Sequence, residues 1–125
     1  MEILRIEASQ YTPKISMDAK EGIIEIEGKS YPENTFEFYK PVIAWVEEYF
    51  ENPQEKTVLN MEIIYFNSSS SKLFFDLFDI IEEHHQDSDI TINWIYDAEN
   101  ETSKEAGEEF QEDFESLNIQ LQEKS

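Results

Sequence analysis

The chain has 125 residues, 29 of them acidic and 9 basic, which gives a formal net charge of −20. This charge repels phosphate groups and argues against binding to nucleic acid or to an anionic membrane surface. Nine Phe, six Tyr and two Trp supply more apolar area than disordered acidic chains carry, which predicts one folded domain over residues 1–125. Without cysteine, disulfides and thiolate metal sites are excluded. No segment resembles a signal peptide or a membrane span, so we expect a cytoplasmic protein.

The first third of the chain predicts short strands followed by a helix. The strands are expected at Ile3–Ile6, Lys14–Met17 and Gly22–Glu27, the last closed by Gly28. Asn34 is a good helix N-cap, and Glu37, three residues later, completes a capping box. The apolar face of helix 1 is predicted to hold Phe36, Tyr39, Ile43, Val46 and Phe50. Pro41 should kink this helix or mark a second start.

The centre of the chain predicts a strand from Val58 to Phe66 and a second helix. The strand ends in four apolar residues, 63–66, which is typical of a central strand covered on both faces. Helix 2 is expected at about 70–85. Its predicted apolar face holds Leu73, Leu77, Ile80, Ile81 and His84, opposite Lys72, Asp76, Asp79 and Glu83.

The last third predicts a strand at Ile90–Tyr96, a third helix and an edge strand. Thr102 with Glu105 forms a capping box that would open helix 3. The helix then places Ala106, Phe110 and Phe114 on one side. Residues 117–121 alternate apolar and polar side chains, as an edge strand does, and residues 122–125 are expected to fray.

Strands separated by helices require right-handed crossovers and a largely parallel sheet. The element order therefore predicts an α/β fold. We expect a small sandwich whose mixed, mostly parallel sheet carries antiparallel strands at its N-terminal side, with about three helices. In such sheets functional residues lie where strands end and helices begin.

That rule directs attention to the serines at 68–71, which follow Asn67 at the end of the fourth strand. Residues 63–75 contain no acid and a single base, Lys72, while Phe75 could expose an apolar ring nearby. Free N–H groups and the helix dipole favour an anion there, either a bound phosphate or one attached to a serine. Serines before a helix are also ordinary N-caps. Capping needs one hydroxyl, which leaves three unaccounted for.

Other arrangements support competing functions. Glu82 and His85 have the spacing of two metal ligands on a helix, and Ser68, either His84 or His85, and Asp97 could form a hydrolase triad. The three glycines are too few for a P-loop. The acids of helix 3 are either a solubilising face or an attraction for a basic partner, as in a constitutive acidic inhibitor or adaptor.

Three stretches give the chain a family resemblance. They are Ser30-Tyr31-Pro32-Glu33-Asn34, Tyr65-Phe66-Asn67-Ser68-Ser69-Ser70, and Trp94-Ile95-Tyr96-Asp97 followed by Asn100-Glu101. In these stretches and their separations the sequence resembles the SiaC family of bacterial regulatory phosphoproteins. The resemblance implies a STAS-like fold for nearly the whole chain.

The resemblance further implies a non-catalytic switch without a cofactor or metal. The unphosphorylated protein would bind and activate a diguanylate cyclase, promoting cyclic-di-GMP synthesis and biofilm formation. A partner kinase would block this by phosphorylating Ser68, or Ser69 as second choice, and a PPM-type phosphatase would reverse it. The residues expected around the phosphosite and in partner binding are Asn67, Ser69, Ser70, Lys72, Phe75, Tyr31, Glu33 and Asn34.

Overall fold

The structure is a computed structural model that describes residues 3–124. Six strands and three helices follow one another along the chain. The strands are β1 (Leu4–Ile6), β2 (Lys14–Asp18), β3 (Ile23–Ser30), β4 (Lys56–Phe66), β5 (Asp89–Asp97) and β6 (Asn118–Lys124). The helices are α1 (Thr35–Tyr49), α2 (Ser68–Glu83) and α3 (Glu101–Asp113). Within residues 3–124 no helix is long and apolar enough to cross a membrane.

The strands lie in one sheet in the order in which they occur along the chain. β1, β2 and β3 pair antiparallel, whereas β3, β4, β5 and β6 pair parallel. This confirms the predicted mixed, mostly parallel sheet. Each step from β3 to β6 moves to the next neighbour in the same direction, so right-handed crossovers place all three helices on one face of the sheet.

No helix within residues 3–124 covers the opposite face of the sheet. The prediction that the end of β4 is covered on both sides is therefore wrong, since Ile64 is 53% exposed and Tyr65 54%. Polar side chains occupy much of this face instead. Asn93 Nδ2 donates to Asn60 Oδ1 (2.8 Å), and Gln122 Nε2 donates to Asn93 Oδ1 (3.0 Å).

The core lies between the helices and the covered face of the sheet. From α1 it takes Tyr39, Val42, Trp45, Val46 and Tyr49, and from α2 Phe74, Leu77, Phe78 and Ile81. Phe36 is 64% exposed, contrary to prediction, because the buried stripe of α1 runs back from Tyr39 through Thr35. The helix also continues through Pro41 without a second start.

Each helix begins after an asparagine whose side chain accepts a hydrogen bond from a first-turn N–H. Asn34 Oδ1 accepts from Glu37 N (3.1 Å), as predicted. Asn67 Oδ1 accepts from Ser70 N (2.9 Å), so α2 starts two residues earlier than expected. Asn100 caps α3, with the Ser103 N–H as donor (3.1 Å), and the prediction of Thr102 as the cap is wrong.

Two strands, β3 and β6, run three residues further at their carboxyl ends than the sequence indicated. β3 continues past Gly28, which has φ of 128° and lies next to a register shift. β6 extends through Lys124, with residues 122–124 paired to Ile95–Asp97, so these residues are ordered in the sheet rather than frayed. Ser125 lies outside the described residues.

Candidate functional site at the carboxyl ends of the parallel strands

Parallel pairing brings the three stretches that carry the family resemblance to one edge of the sheet. The Asn67 N–H donates to the carbonyl of Ser30 (3.1 Å), which joins the ends of β3 and β4. Asn100 Nδ2 donates to the carbonyl of Ile64 (2.9 Å), which joins the end of β4 to the start of α3. Residues that are distant in sequence therefore form one continuous surface.

A β-bulge in β4 shapes this edge. Gly28 pairs with Ile63 and Lys29 pairs with Tyr65, so Ile64 is an extra residue without a partner on β3. Pairing between β4 and β5 reaches only as far as Met61 on β4. Beyond Met61, side chains at the start of α3 replace β5 as hydrogen-bond partners of β4. The carbonyl of residue 63 accepts from Ser103 Oγ, and the carbonyl of residue 64 accepts from Asn100 Nδ2. Bulges of this kind commonly re-aim side chains beside functional sites.

The four serines occupy the first turn of α2 and differ in exposure. Ser68 and Ser69 are exposed, Ser71 is half-buried and Ser70 is fully buried. The exposed Ser68 is thus accessible to a modifying enzyme. It also lies at the positive end of the helix dipole, where backbone N–H groups of the first turn favour an anion.

Ser70 has a structural partner in the interior. Its Oγ donates to the carbonyl of Ser30 (2.9 Å) and lies 2.8 Å from Ser30 Oγ, which in turn bonds to the hydroxyl of Tyr39. Burial raises the pKa of Tyr39, an effect that its hydrogen bond with Ser30 partly opposes. Because Asn67 caps α2, the expectation that a serine serves as the cap is wrong. Ser70 belongs to the core and does not contribute to the surface of the site.

A groove between α2 and α3 begins at Ser68. Its lining is Ser68, Ser71, Lys72 and Phe75 from α2, and Ala106, Glu109, Phe110 and Asp113 from α3. Residues 63–75 contain no acid, but Glu109 and Asp113 of α3 bring two acids to this side of the serines. Lys72, exposed in the groove, pairs with Asp76 (3.4 Å), and Phe75 is 42% exposed with its ring 4.8 Å from that of Phe114.

Three tyrosine rings lie together near the carboxyl ends of β3 and β4. Tyr31 makes edge-to-face contacts with Tyr11 and with Tyr65, both at 5.3 Å between ring centroids. We call these three residues the tyrosine cluster; Tyr11 and Tyr65 are about half exposed. Of these three, the family resemblance named only Tyr31 as a partner-binding residue, and apolar periodicity does not reveal which aromatic side chains remain at the surface.

The remaining predicted site residues stand at the start of α1. Glu33 and Asn34 are both exposed, and the Asn34 side chain caps its own helix. Both follow the end of β3, so they share the carboxyl edge with the serines. The cap at Asn67 was detectable from the sequence, because asparagine is as good an N-cap as serine and Asn67 directly precedes the four serines.

The structure does not assemble the predicted hydrolase triad. Ser68 begins α2 and His84 follows its end, so about 24 Å of helix separates them. His84 Nδ1 instead contacts Asp87 Oδ2 (2.8 Å), and His85 Nδ1 bonds to the carbonyl of Glu82 (2.8 Å). Within residues 3–124 no three His, Asp or Glu side chains are grouped to hold a metal ion.

Comparisons with known proteins agree with this architecture. The structure of SiaC of Pseudomonas aeruginosa is 36% identical, covers 99% of this chain and 100% of its own, and superposes with a TM-score of 0.90. The SiaC structure described as the activator in complex with the diguanylate cyclase SiaD, also from P. aeruginosa, is 38% identical, covers 97% of this chain and 99% of its own, and has a TM-score of 0.89.

Sequence relatives point the same way. A protein of P. aeruginosa strain UCBPP-PA14 is 40% identical over 114 residues, which span 90% of each chain. The family model described as "SiaC family regulatory phosphoprotein" matches residues 6–124. With this match, the α/β fold of the SiaC structures and the three stretches gathered at one edge, the chain belongs to the SiaC family of regulatory phosphoproteins.

Proposed function

We propose that this protein is a cytoplasmic, non-catalytic switch whose unphosphorylated form binds and activates a diguanylate cyclase. The observation that carries the proposal is its likeness, over nearly the whole chain, to the SiaC activator in complex with the cyclase SiaD. We further propose that a protein kinase phosphorylates Ser68 and that a PPM-type phosphatase removes the phosphate. The family description as regulatory phosphoproteins and the exposure of Ser68 support this part.

The geometry suggests how one phosphate would act on binding and not on folding. At the first residue of α2 the phosphate adds about two negative charges at the positive end of the dipole, so the fold tolerates it. In a protein interface the same dianion loses its water, which costs several kcal/mol. Docking is therefore blocked while the folded state persists.

We propose that the docking surface comprises the carboxyl edge around Ser68. The predicted residues Tyr31, Glu33, Asn34, Asn67 and Ser69 lie along that edge, and Lys72 and Phe75 line the groove beside it. Exposed tyrosines are frequent anchors in protein interfaces. Tyr65, three residues before Ser68, has its Cα within about 11 Å of that of the acceptor, so a phosphate there would lie inside the same interface.

The test measures cyclic-di-GMP synthesis and binding with the SiaD-like cyclase of the same host. We expect Ser68→Asp to weaken binding at least tenfold and Ser68→Ala to remain an activator that no longer responds to the kinase. Ser116→Asp is the matched control, because it adds the same charge at an exposed serine in the turn before β6. It should change affinity less than twofold.

Two results would contradict the proposal. Phosphorylated protein, with the phosphate mapped to Ser68, that binds the cyclase as tightly as the unmodified protein would disprove exclusion by charge. Binding that ignores Ser68→Asp but collapses as salt rises would instead favour the alternative of a constitutive acidic inhibitor.

A further inference from the structure

The directions of the buried hydrogen bonds around Ser70 follow from counting protons. Because a carbonyl only accepts, Ser70 Oγ must donate its single proton to the carbonyl of Ser30 (2.9 Å). The bond between the two serine hydroxyls (2.8 Å) then has Ser30 as its donor, and Tyr39 must donate to Ser30. Each of the three hydroxyls therefore donates one hydrogen bond, from Tyr39 to Ser30, from Ser30 to Ser70, and from Ser70 to the carbonyl of Ser30. We call Tyr39, Ser30 and Ser70 the carboxyl-end hydroxyl chain.

This chain joins three elements at one point. Tyr39 belongs to α1, Ser30 is the last residue of β3, and Ser70 lies in the first turn of α2. All three side chains are buried, and none of the described buried polar side-chain atoms lacks a hydrogen-bond partner. The carbonyl of Ser30 also accepts from the Asn67 N–H (3.1 Å), so two bonds hold the start of α2 against β3.

Fixing Ser70 inward determines where its neighbours point. Residues of an α-helix are about 100° apart around the axis, so Ser69 lies about 100° and Ser68 about 200° from Ser70. Ser68 and Ser71 then share the side that faces α3, which agrees with their place in the groove lining. Ser69 points the other way. The two exposed hydroxyls are therefore presented to different surroundings.

We propose that the carboxyl-end hydroxyl chain selects Ser68 as the phosphoacceptor by fixing the rotation of the first turn of α2. The proposal rests on the proposed function, in which Ser68 is modified. Ser70 is unavailable to a kinase because its hydroxyl is buried and both donates and accepts. Tyr39, Ser30 and Ser70 act as positioning residues, and the choice among four serines is built into this protein rather than left to the kinase alone.

The opposite end of the sheet supplies matched controls. There the Tyr49 hydroxyl bonds to Thr57 Oγ1 (2.8 Å), which bonds to Ser88 Oγ (2.7 Å), and Ser88 donates to the carbonyl of Gln54 (2.7 Å). We call Tyr49, Thr57 and Ser88 the amino-end hydroxyl chain. It consists of the same kinds of groups and is also buried, but these hydrogen bonds involve no residue of the first turn of α2.

The experiment expresses the wild type, Ser70→Ala and Tyr39→Phe in the native host beside the controls Ser88→Ala and Tyr49→Phe. Mass spectrometry of the tryptic peptide 57–72 gives the phosphate on each serine. Removing the bond from Ser70 should lower the ratio of phosphate on Ser68 to that on Ser69 and Ser71 by about fivefold or more. Tyr39→Phe should lower it less, because Ser30 still donates to Ser70. The controls should lose a similar amount of Tm and keep the wild-type ratio.

The outcomes separate the two proposals. If the wild-type protein carries its phosphate on Ser68 and folded Ser70→Ala shows the same ratio, the proposed selection by the hydroxyl chain is overturned and the proposed function stands. If the wild-type protein carries its phosphate on Ser69, both the proposed selection and the assignment of Ser68 are overturned, but a phosphate switch is not. Peptide 57–72 without phosphate from wild-type protein overturns both. Amide hydrogen exchange adds a readout without a kinase: Ser70→Ala should speed exchange at Ser71 and Lys72, and Ser88→Ala should not.

Discussion

The two ends of the parallel strands contain nearly the same buried hydroxyl chemistry and differ in what is attached to it. The carboxyl-end hydroxyl chain begins at Tyr39 and ends at Ser70, inside a helical turn that also presents two exposed serines. The amino-end hydroxyl chain begins at Tyr49 and ends at Ser88, just before β5. A buried hydroxyl network is therefore not by itself a sign of function. The position of such a network next to a helix start is the informative feature, because the helices begin only at the carboxyl ends of the parallel strands.

The surfaces of the two ends sharpen the contrast. The carboxyl end exposes the tyrosine cluster and the groove between α2 and α3. At the amino end, His84 follows α2 and its ring stacks on Phe50 at 4.9 Å. Damage to the amino end should accordingly reduce stability and spare binding, and damage to the exposed carboxyl end should do the reverse.

The largest effect is expected from Gly22→Ala at the amino end. Gly22 has φ of 69°, and a Cβ there would lie 2.5 Å from the carbonyl oxygen of Lys56. Backbone strain and overpacking together should lower the free energy of unfolding by about 3–5 kcal/mol, measured by urea denaturation. Gly28→Ala is the matched control, since its Cβ would meet Pro13 at 3.4 Å and only strain remains, costing about 1–3 kcal/mol. Equal losses would contradict the steric explanation.

A smaller effect, mainly on binding, is expected from Tyr65→Ala at the carboxyl end. Truncating this exposed tyrosine should weaken cyclase binding by about 2 kcal/mol, or about 30-fold. The free energy of unfolding should fall by only about 0.5–1.5 kcal/mol, because the contact with the Tyr31 ring is lost. Calorimetric titration measures the first quantity. Ile3→Ala, which removes a side chain of similar exposure beside the start of β1, should leave the affinity unchanged. Equal losses in both variants would show that the two ends are not distinct.

The smallest effect is expected from Lys72→Ala. The pair between Lys72 and Asp76 is largely exposed, with 3.4 Å between Nζ and Oδ2, so its loss should cost at most about 0.5 kcal/mol of folding free energy. Denaturation at low and high salt checks this, because screening should remove most of the difference. A loss well above 1 kcal/mol that persists at high salt would mean that Lys72 has a structural role beyond this pair.

The sequence was sufficient for most of the fold because its main signals are local. Helix capping at Asn34 depends on a side chain and an N–H three residues apart, and the alternation of β and α segments fixes the crossovers. Errors arose where a pattern had two readings. Thr102 with Glu105 satisfied a capping box as well as Asn100 satisfied a cap, and residues 63–66 looked doubly buried because apolar character does not say what covers a face.

The candidate site shows the same division. By itself, the sequence determined the α/β order, the family resemblance and the place of Ser68 close to a helix start, because residues close along the chain carry all three. Only the tertiary structure decided that Ser70 is held inside by Ser30 and Tyr39, and that Glu109 and Asp113 face a stretch without acids of its own. Those contacts join segments many residues apart, and their direction depends on how the helices pack on the sheet, which no local pattern encodes.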